Sequence, residues 1–346
     1  MCHAMNKLLV ITDAPALDAA WIDHEKDVSL TGSIPRFSNY EDHQAFYSEA
    51  CKTRNAQMLA GRDRGLTRGI EISDSIITAS DGHPIRVRFY SPAIASQPSD
   101  TKALQGFVIY YHGGGLKVGD LDSEDLSCRR ICKEARIMVI SIEYRLIPQN
   151  PPQKALDDAY DAFLKLISAK RSLERVILVG SSSGGQLAAQ VAQLARDSVQ
   201  VPADTIDGLL LRCPVTVDAS NGGIHIPERF RAMHTSFSPS FESSLLTIDA
   251  ETARINTPNL PLEATSFHNL PRAFIQLCSN DLYYSDGICY AAALRDAGID
   301  VKVDVVRGWP HTFWLKAPQL DRALEADMDM IKGLRWLLKV EDSDAK

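Results

Sequence analysis

Residues 176–185 have the sequence VILVGSSSGG, in which an apolar run ends abruptly in a Gly-x-Ser-x-Gly pattern. Of its three serines, only Ser182 has a glycine two residues away on each side, at Gly180 and Gly184. The apolar run is typical of a buried strand, and residues 186–192, QLAAQVA, predict a helix directly after it. Such a sharp strand-to-helix turn brings main-chain segments close together, so it requires small flanking residues and exposes the serine hydroxyl above the sheet. The segment therefore predicts that Ser182 is a nucleophile.

A second strand-like run, FVIYY at residues 107–111, leads directly into His-Gly-Gly-Gly at 112–115. Glycines leave their main-chain N–H groups uncovered, so these groups can approach a ligand oxygen closely. Fixed N–H donors stabilise the oxyanion of an acyl-transfer intermediate, and removing one donor costs about 10²–10³ in rate. We assign Gly113 and Gly114 as donors, with the N–H of Ser183 as the third. A flexible turn is the alternative, whereas a phosphate-binding loop is disfavoured because no Gly-Lys-Ser/Thr follows.

Later strands predict the partners of the serine. Residues 273–278, AFIQLC, lead to Asp281, and residues 301–306, VKVDVV, lead to His311. Each side chain follows the carboxyl end of a strand, which is the edge at which open α/β sheets build their sites. The chain order serine, aspartate, histidine is one of the known orders of a catalytic triad. We therefore predict His311 as the base and Asp281 as the acid that orients it.

Other residues compete for these roles. Among the nine histidines, His112 is the main alternative base because it also ends a strand, but it precedes the serine. The alternative acids are Asp286, which follows Asp281 closely, and Glu143, at the end of strand-like residues 137–142. Most other histidines lie in polar segments, where solvated or capping roles are typical.

Taken together, these motifs resemble the hormone-sensitive-lipase-like family of α/β-hydrolases. The match spans roughly residues 70–340 and is carried, in order, by HGGGLKVGDLDSED, EYRLIPQNPPQKALDDAYDA, GSSSGG, NDLYYSDG and GWPHTF. The resemblance implies an α/β-hydrolase fold, with a mostly parallel central sheet flanked by helices and covered by a helical cap. It also implies a triad and an oxyanion hole, which fall on Ser182, Asp281 and His311 and on Gly113, Gly114 and Ser183.

The chain departs from the family pattern around the site. The family's Gly-Asp-Ser-Ala-Gly-Gly is here Gly-Ser-Ser-Ser-Gly-Gly, so Ser181 replaces an aspartate and Ser183 replaces an alanine. Neither change removes a main-chain donor. The proline that usually follows the acid is Leu282, so the positioning of Asp281 is expected to be less rigid. Arg145 falls in the family's structural segment and is expected to be held by an acidic partner.

Strand and helix patterns alternate from about residue 105 onward, which predicts a mostly parallel sheet with helices on both faces. We predict a catalytic core of residues 69–217 and 269–346. Residues 1–68 and 218–268 are predicted to form one helical cap over the site, and an unstructured N-terminus with a long surface loop is the alternative. The segment from Tyr40 to Leu59 has helical spacing, and burial is expected for its large apolar side chains, which are Phe46, Tyr47, Met58 and Leu59.

Composition excludes several classes of partner. A net charge of −7 disfavours nucleic acids and anionic membranes. The sequence contains no run of 18 apolar residues, so it predicts no membrane span, and the apolar stretch at 8–11 is too short for a signal peptide. A cytoplasmic location is therefore expected. The seven cysteines include no Cys-x-x-Cys, and packing is favoured over a shared ligand for Cys128 and Cys132.

The main hypothesis is a serine carboxylesterase that hydrolyses short to medium acyl esters of small molecules through an acyl-enzyme. No cofactor and no metal ion are predicted, and a homodimer is compatible with the sequence. One alternative is a hydrolase-fold enzyme of secondary metabolism that cleaves acetyl esters, transfers acyl groups or cyclises a natural product, because the same serine would serve. A non-hydrolytic small-molecule receptor is disfavoured because the triad is complete. The natural substrate is not determined by the sequence.

Overall fold

Within the described residues of this computed structural model, which are 9–28, 37–93, 106–169, 174–217, 226–242 and 259–340, eight strands form one sheet. The strands are β1 (Ile70–Thr78), β2 (Pro84–Pro92), β3 (Gly106–Tyr111), β4 (Met138–Glu143), β5 (Arg175–Ser181), β6 (Gly208–Arg212), β7 (Ala273–Asn280) and β8 (Val301–Pro310). Their order across the sheet is β1-β2-β4-β3-β5-β6-β7-β8. The pairs β1/β2 and β2/β4 are antiparallel and all the others are parallel, which confirms the predicted mostly parallel α/β sheet.

Helices cover both faces of this sheet. They are α1 (Ala19–Asp27), α2 (Tyr40–Ala60), α3 (Asp125–Ala135), α4 (Gln153–Ser168), α5 (Ser183–Asp197), α6 (Pro239–Glu242), α7 (Tyr284–Asp296), α8 (Phe313–Lys316) and α9 (Asp321–Leu337). Buried side chains of α3 and α9 pack on one face of the sheet, and those of α4, α5 and α7 pack on the other. None of the helices that the structure describes has both the length and the apolar character to cross a bilayer.

The central strands are apolar on both faces because helices cover both. In β3, Phe107, Ile109 and Tyr111 belong to the core on one side of the sheet. The intervening Val108 and Tyr110 belong to the core on the other side. A strand buried in this way needs a continuous apolar sequence, which explains why runs of this kind predicted the sheet.

Helix α2, in the N-terminal segment, matches the helical spacing that was predicted for residues 40–59. Asn39 caps it by accepting a hydrogen bond from the N–H of Asp42 at 2.8 Å. Met58 is buried as expected, but Phe46 is 53% exposed, so the expectation of burial is wrong for this residue. The ring of Phe46 instead lies 5.2 Å from that of Phe37.

The division into core and cap stays a prediction. Residues 218–225 and 243–258 of the predicted cap insertion lie outside the described residues, as do residues 1–8 and 29–36 of the N-terminal segment. The last six residues of the predicted core, 341–346, lie outside them as well.

A close main-chain contact forms the turn between β5 and α5. A Cβ atom on Gly180 would lie 2.2 Å from the carbonyl oxygen of Gly184, and one on Gly184 would lie 2.0 Å from that of Tyr111. Ser182, between them, has a φ of 54°, which non-glycine residues rarely adopt. The turn therefore requires both glycines for space and stores strain at the serine.

We predict that Gly184→Ala destabilises the protein by about 3 kcal/mol, because the added methyl group overlaps main-chain atoms that cannot move aside. Urea unfolding followed by circular dichroism measures this. Gly65→Ala is the matched control, since its Cβ would meet only the flexible end of Lys133 at 3.5 Å. Equal unfolding midpoints for the two variants would contradict this account of the turn.

Candidate active site

The structure brings Ser182, His311 and Asp281 together at the carboxyl edge of the sheet. Nε2 of His311 lies 2.8 Å from the hydroxyl oxygen of Ser182, and Nδ1 lies 2.7 Å from Oδ2 of Asp281. Ser182 follows β5, Asp281 follows β7 and His311 follows β8. One triad side chain thus lies at the end of each of these strands, and the histidine lies between the hydroxyl and the carboxylate.

Asp281 is held in place without the proline that usually follows it in the resembled family. Its Oδ1 accepts the main-chain N–H of Tyr283 at 2.8 Å, while Oδ2 faces His311. The ring of Tyr283 lies 5.3 Å from the imidazole, centroid to centroid. The carboxylate is 1% exposed. These contacts orient the acid in the absence of the proline, and its expected lower rigidity stays a prediction.

The electrostatic environment of His311 favours its protonated form. Burial opposes the imidazolium, but the charge and the hydrogen bond of Asp281, with smaller contributions from Cys213, outweigh it and raise the pKa of His311 to about 9. A raised pKa means a stronger base, and it also means that the fraction of neutral imidazole falls as the pH falls below that value. The arrangement can accept a proton from Ser182 and stabilise the resulting cation.

Cys213 lies beside the triad and was not singled out by the sequence. Its thiol, the Asp281 carboxylate and the His311 ring place one ligand atom each within 4.8 Å of one another, and no other such group occurs among the residues described. Burial raises the pKa of the Cys213 thiol well above its ordinary value, so it stays an S–H group at neutral pH and a weak metal ligand. Because both ring nitrogens of His311 already have partners, the group suits proton transfer better than metal binding.

The alternative base is occupied elsewhere. His112 is fully buried and stacks on Tyr144 with ring centroids 4.3 Å apart. Its Nδ1 lies 2.7 Å from the carbonyl oxygen of Gly113, and its own carbonyl accepts the Tyr144 hydroxyl at 2.6 Å. Burial lowers the pKa of His112, so a neutral ring supports the start of the glycine segment.

The alternative acids also lie in other contacts. Asp286 accepts the main-chain N–H groups of Thr216 and Val217 at 2.6 and 3.0 Å and lies 2.8 Å from Nε2 of His234. Glu143 accepts a hydrogen bond from Arg86 at 3.0 Å. Neither carboxylate is hydrogen-bonded to His311, so the geometry favours Asp281.

The expected acidic partner of Arg145 is Asp158. Nη2 and Nε of the guanidinium lie 2.6 and 2.9 Å from the two carboxylate oxygens of Asp158. Nη1 lies 2.9 Å from a carboxylate oxygen of Asp81. This fork fixes the segment that follows β4 to the helix α4.

The structure modifies the predicted oxyanion hole. The N–H of Gly113 donates a hydrogen bond to Oε1 of Glu124 at 2.8 Å, so it is not available to a substrate, in contrast to the sequence-based assignment. The N–H groups of Gly114, Gly115 and Ser183 make no hydrogen bond within the described part of the chain. Ser183 begins α5, where main-chain N–H groups lack helical partners and the helix dipole favours negative charge.

Glu124 is the other residue that sequence reasoning missed. The sequence feature that could have pointed to it is Ser181, which replaces the family's aspartate and leaves the position before the nucleophile without a carboxylate. The acidic stretch 120–125, DLDSED, could have supplied one in its place. A sequence pattern does not show which of these acids turns inward, because their neighbours in space come from distant strands.

Comparisons with known proteins support the fold described above. Residues 108–315 match a family model described as the alpha/beta hydrolase fold. The chain is 31% identical over 272 residues to an ethyl acetate hydrolase of Pseudomonas putida, covering 76% of this chain and 82% of that protein. It is 30% identical over 272 residues to the esterase LipI of Mycobacterium tuberculosis, covering 74% of this chain and 79% of that protein. The crystal structure of a vibralactone cyclase superposes with a TM-score of 0.79 at 23% identity, over 95% of this chain and 98% of that one.

The raised pKa of His311 predicts the pH dependence of the reaction. Because the neutral ring is the base, kcat/KM should fall as pH falls through that pKa, with a midpoint above the ordinary value of about 6.5. In Asp281→Asn the raising charge is lost while burial remains, so the midpoint should move down and kcat should fall by about 10⁴. Glu143→Gln is the matched control. A normal profile in Asp281→Asn, with the loss in the control instead, would reassign the acid.

Proposed function

The chain belongs to the α/β-hydrolase family, and from this membership and the site geometry we propose that it is a serine carboxylesterase with Ser182 as its nucleophile. The observation that carries the proposal is the pair of hydrogen bonds made by His311, 2.8 Å to the Ser182 hydroxyl and 2.7 Å to Asp281. A buried serine-imidazole-carboxylate chain of this kind activates a hydroxyl for attack on a carbonyl carbon.

The reaction follows from the contacts. Ser182 attacks the ester carbonyl while Nε2 of His311 takes its proton, and Asp281 holds the ring in the tautomer that leaves Nε2 free to accept. The imidazolium then returns the proton to the departing alkoxide, which leaves as an alcohol. Water, activated by the same histidine, attacks the acyl-enzyme and releases the carboxylic acid. Each proton lost by an attacking group is thus returned to a leaving group.

We assign the oxyanion hole to the N–H groups of Gly114, Gly115 and Ser183. Gly114 keeps its predicted role, and Gly115 takes the place of Gly113, whose N–H is already donated to Glu124. Gly115 is exposed, with open space where a Cβ would be, so a substrate oxygen can approach it. Preorganised donors of this kind stabilise the negative charge of the tetrahedral intermediate.

The N-terminal segment is proposed to belong to a cap over the site. Side chains of α2 hydrogen-bond to the loop that follows the glycine segment, with Gln44 donating to the carbonyl of Lys117 at 2.7 Å and Asn55 donating to that of Asp122 at 2.6 Å. Arg54 donates to the carbonyl of Leu315, shortly after His311, at 2.6 Å. The helix therefore bridges the loop after the glycine segment and the short helix α8 that follows His311. Its partner in the proposal is the insertion 218–268.

The substrate class is a small-molecule ester with a short to medium acyl chain. The relative named ethyl acetate hydrolase supports the short end of this range. Assembly as a homodimer and a location in the cytoplasm stay predictions from the sequence.

The proposed function predicts hydrolysis of p-nitrophenyl esters, with free acid as the product. Across a series from acetate to palmitate, we expect the highest kcat/KM at short to medium chains. Ser182→Ala should lower kcat by as much as about 10⁶, because the triad acts as a unit. Ser181→Ala and Ser183→Ala should each cost less than about tenfold, since neither hydroxyl is the nucleophile. Full activity in Ser182→Ala, or acyl groups found on an added alcohol instead of water, would count against the proposal.

The bridging role of α2 predicts a separate effect. Replacing Gln44 and Asn55 together by alanine removes both hydrogen bonds to the loop after the glycine segment, along with the contacts of Gln44 to Ile147 and Gln149. We expect kcat/KM to fall by about thirtyfold, because about 1 kcal/mol of loop positioning is lost with each of the two bonds to that loop. Glu49→Ala, an exposed change on the same helix, is the control. Equal kcat/KM in the two proteins, measured across the ester series, would show that α2 does not support the site.

A further inference from the structure

A buried carboxylate with no part in the proposed reaction lies beneath the nucleophile turn. Glu124, which directly precedes α3, is 3% exposed. Its Oε1 accepts the N–H of Gly113 at 2.8 Å, and its Oε2 accepts the hydroxyl of Ser181 at 2.8 Å. Oε2 also accepts the hydroxyl of Tyr110. One side chain therefore connects β3, the glycine segment and the residue immediately before Ser182.

All three partners are hydrogen-bond donors, which is the set that an ionised carboxylate requires. A carboxylate only accepts hydrogen bonds, and a buried one is costly unless its oxygens are satisfied. Burial raises the pKa of Glu124, whereas the donors from Tyr110, Gly113 and Ser181 act in the opposite direction. Hydroxyl groups can rotate toward other partners, but the N–H of Gly113 belongs to the main chain. That N–H depends on Glu124 most.

The Gly113 N–H belongs to the peptide that begins the glycine run. Gly114 has a φ of 124° and Gly115 a φ of 63°, conformations that glycine adopts without side-chain restraint. An oxyanion hole accelerates a reaction only when its donors are held in place before charge develops. Main-chain carbonyls of this run already have partners, since that of His112 accepts the Tyr144 hydroxyl and that of Gly114 accepts the N–H groups of Lys117 and Val118. The hydrogen bond to Glu124 adds the contact that holds the N–H of the first peptide, and the same carboxylate holds Ser181 on the other side of the site.

We propose that Glu124 is a positioning residue for the oxyanion hole, holding the Gly113 peptide against Ser181 so that the following N–H groups meet the substrate oxygen. The inference rests on the proposed function. It also accounts for the departure from the resembled family, because the carboxylate missing at residue 181 is supplied from residue 124 across a 2.8 Å contact. Glu124 acts through the main chain and does not touch the reacting atoms.

Two substitutions at residue 124 distinguish the loss of its hydrogen-bond acceptors from a change in the shape of its side chain. Glu124→Leu removes both acceptors, so we expect kcat to fall by about 10²–10³, the cost of an oxyanion donor, with KM within about threefold. Glu124→Gln keeps the shape, and its amide oxygen can still accept from Gly113 while its NH₂ donates to the two hydroxyls. We therefore expect Glu124→Gln to stay within about tenfold of the wild type.

Three readouts distinguish this role from a purely structural one. Turnover is expressed per active site, counted by titration with a fluorophosphonate, so that unfolded protein does not contribute. The inhibition constant of a trifluoromethyl ketone, which forms an oxyanion on the serine, should weaken in Glu124→Leu in proportion to kcat/KM. Hydrogen exchange at the Gly113 amide should accelerate in Glu124→Leu and stay slow in Glu124→Gln.

An exchange variant gives a test that does not depend on the leucine variant folding. Glu124→Ser lowers kcat by removing the carboxylate, and adding Ser181→Asp returns a carboxylate to the same gap from the opposite side. We expect the double variant to recover at least about tenfold in kcat over Glu124→Ser alone, as coupled neighbours do. Ser181→Asp alone should lower kcat, since it places a second carboxylate beside Glu124 and the two negative charges repel each other.

The outcomes separate the two proposals. A wild type that hydrolyses no ester in the series would overturn the proposed function. An active wild type with kcat per titrated site unchanged in Glu124→Leu, or with the whole loss in KM, would overturn the positioning role alone. Equal Gly113 exchange rates in Glu124→Leu and Glu124→Gln would overturn it too, whatever the esterase result.

Discussion

The close approach of main-chain segments at the turn after β5 is the constraint on which the rest of the structure depends. Gly180 and Gly184 lie so close to neighbouring carbonyl groups that neither position has room for a Cβ atom. This contact forces Ser182 to a φ of 54° and directs its hydroxyl toward His311 at the carboxyl edge of the sheet. The strain is local, and the buried strands on either side supply the packing that maintains it.

The other components of the site are arranged around that serine. Asp281 and His311 follow neighbouring parallel strands, so their separation is set by the sheet and needs no long flexible connection. The glycine segment follows β3, which pairs directly with β5, and Glu124 closes the gap between them. The triad residues each follow a strand, and Glu124 joins the glycine segment to Ser181 through buried hydrogen bonds. Hydrogen bonds therefore position the groups around the place where charge must be stabilised.

The sequence predicted those parts of the molecule whose signals are local. Apolar runs located β3, β5, β7 and β8, and the glycine spacing identified Ser182 among three adjacent serines. The partner of Gly113 was missed because Glu124 reaches it through a contact between segments that no periodicity records. The exposure of Phe46 was missed for the same reason, since the helical spacing of α2 does not show which neighbours cover it. Cys213 was missed because it lies beside the triad as a result of the pairing of β6 with β7, which is a contact between distant parts of the sequence.

The central claim is that Ser182, in its strained turn, is the group that becomes acylated. The most direct measurement is the site of covalent modification by a fluorophosphonate, mapped by fragmentation mass spectrometry of the peptide that contains residues 181–183. This account predicts a single adduct on Ser182, formed more slowly when His311 is replaced by alanine. An adduct on Ser181 or Ser183, or equally fast labelling without His311, would contradict it.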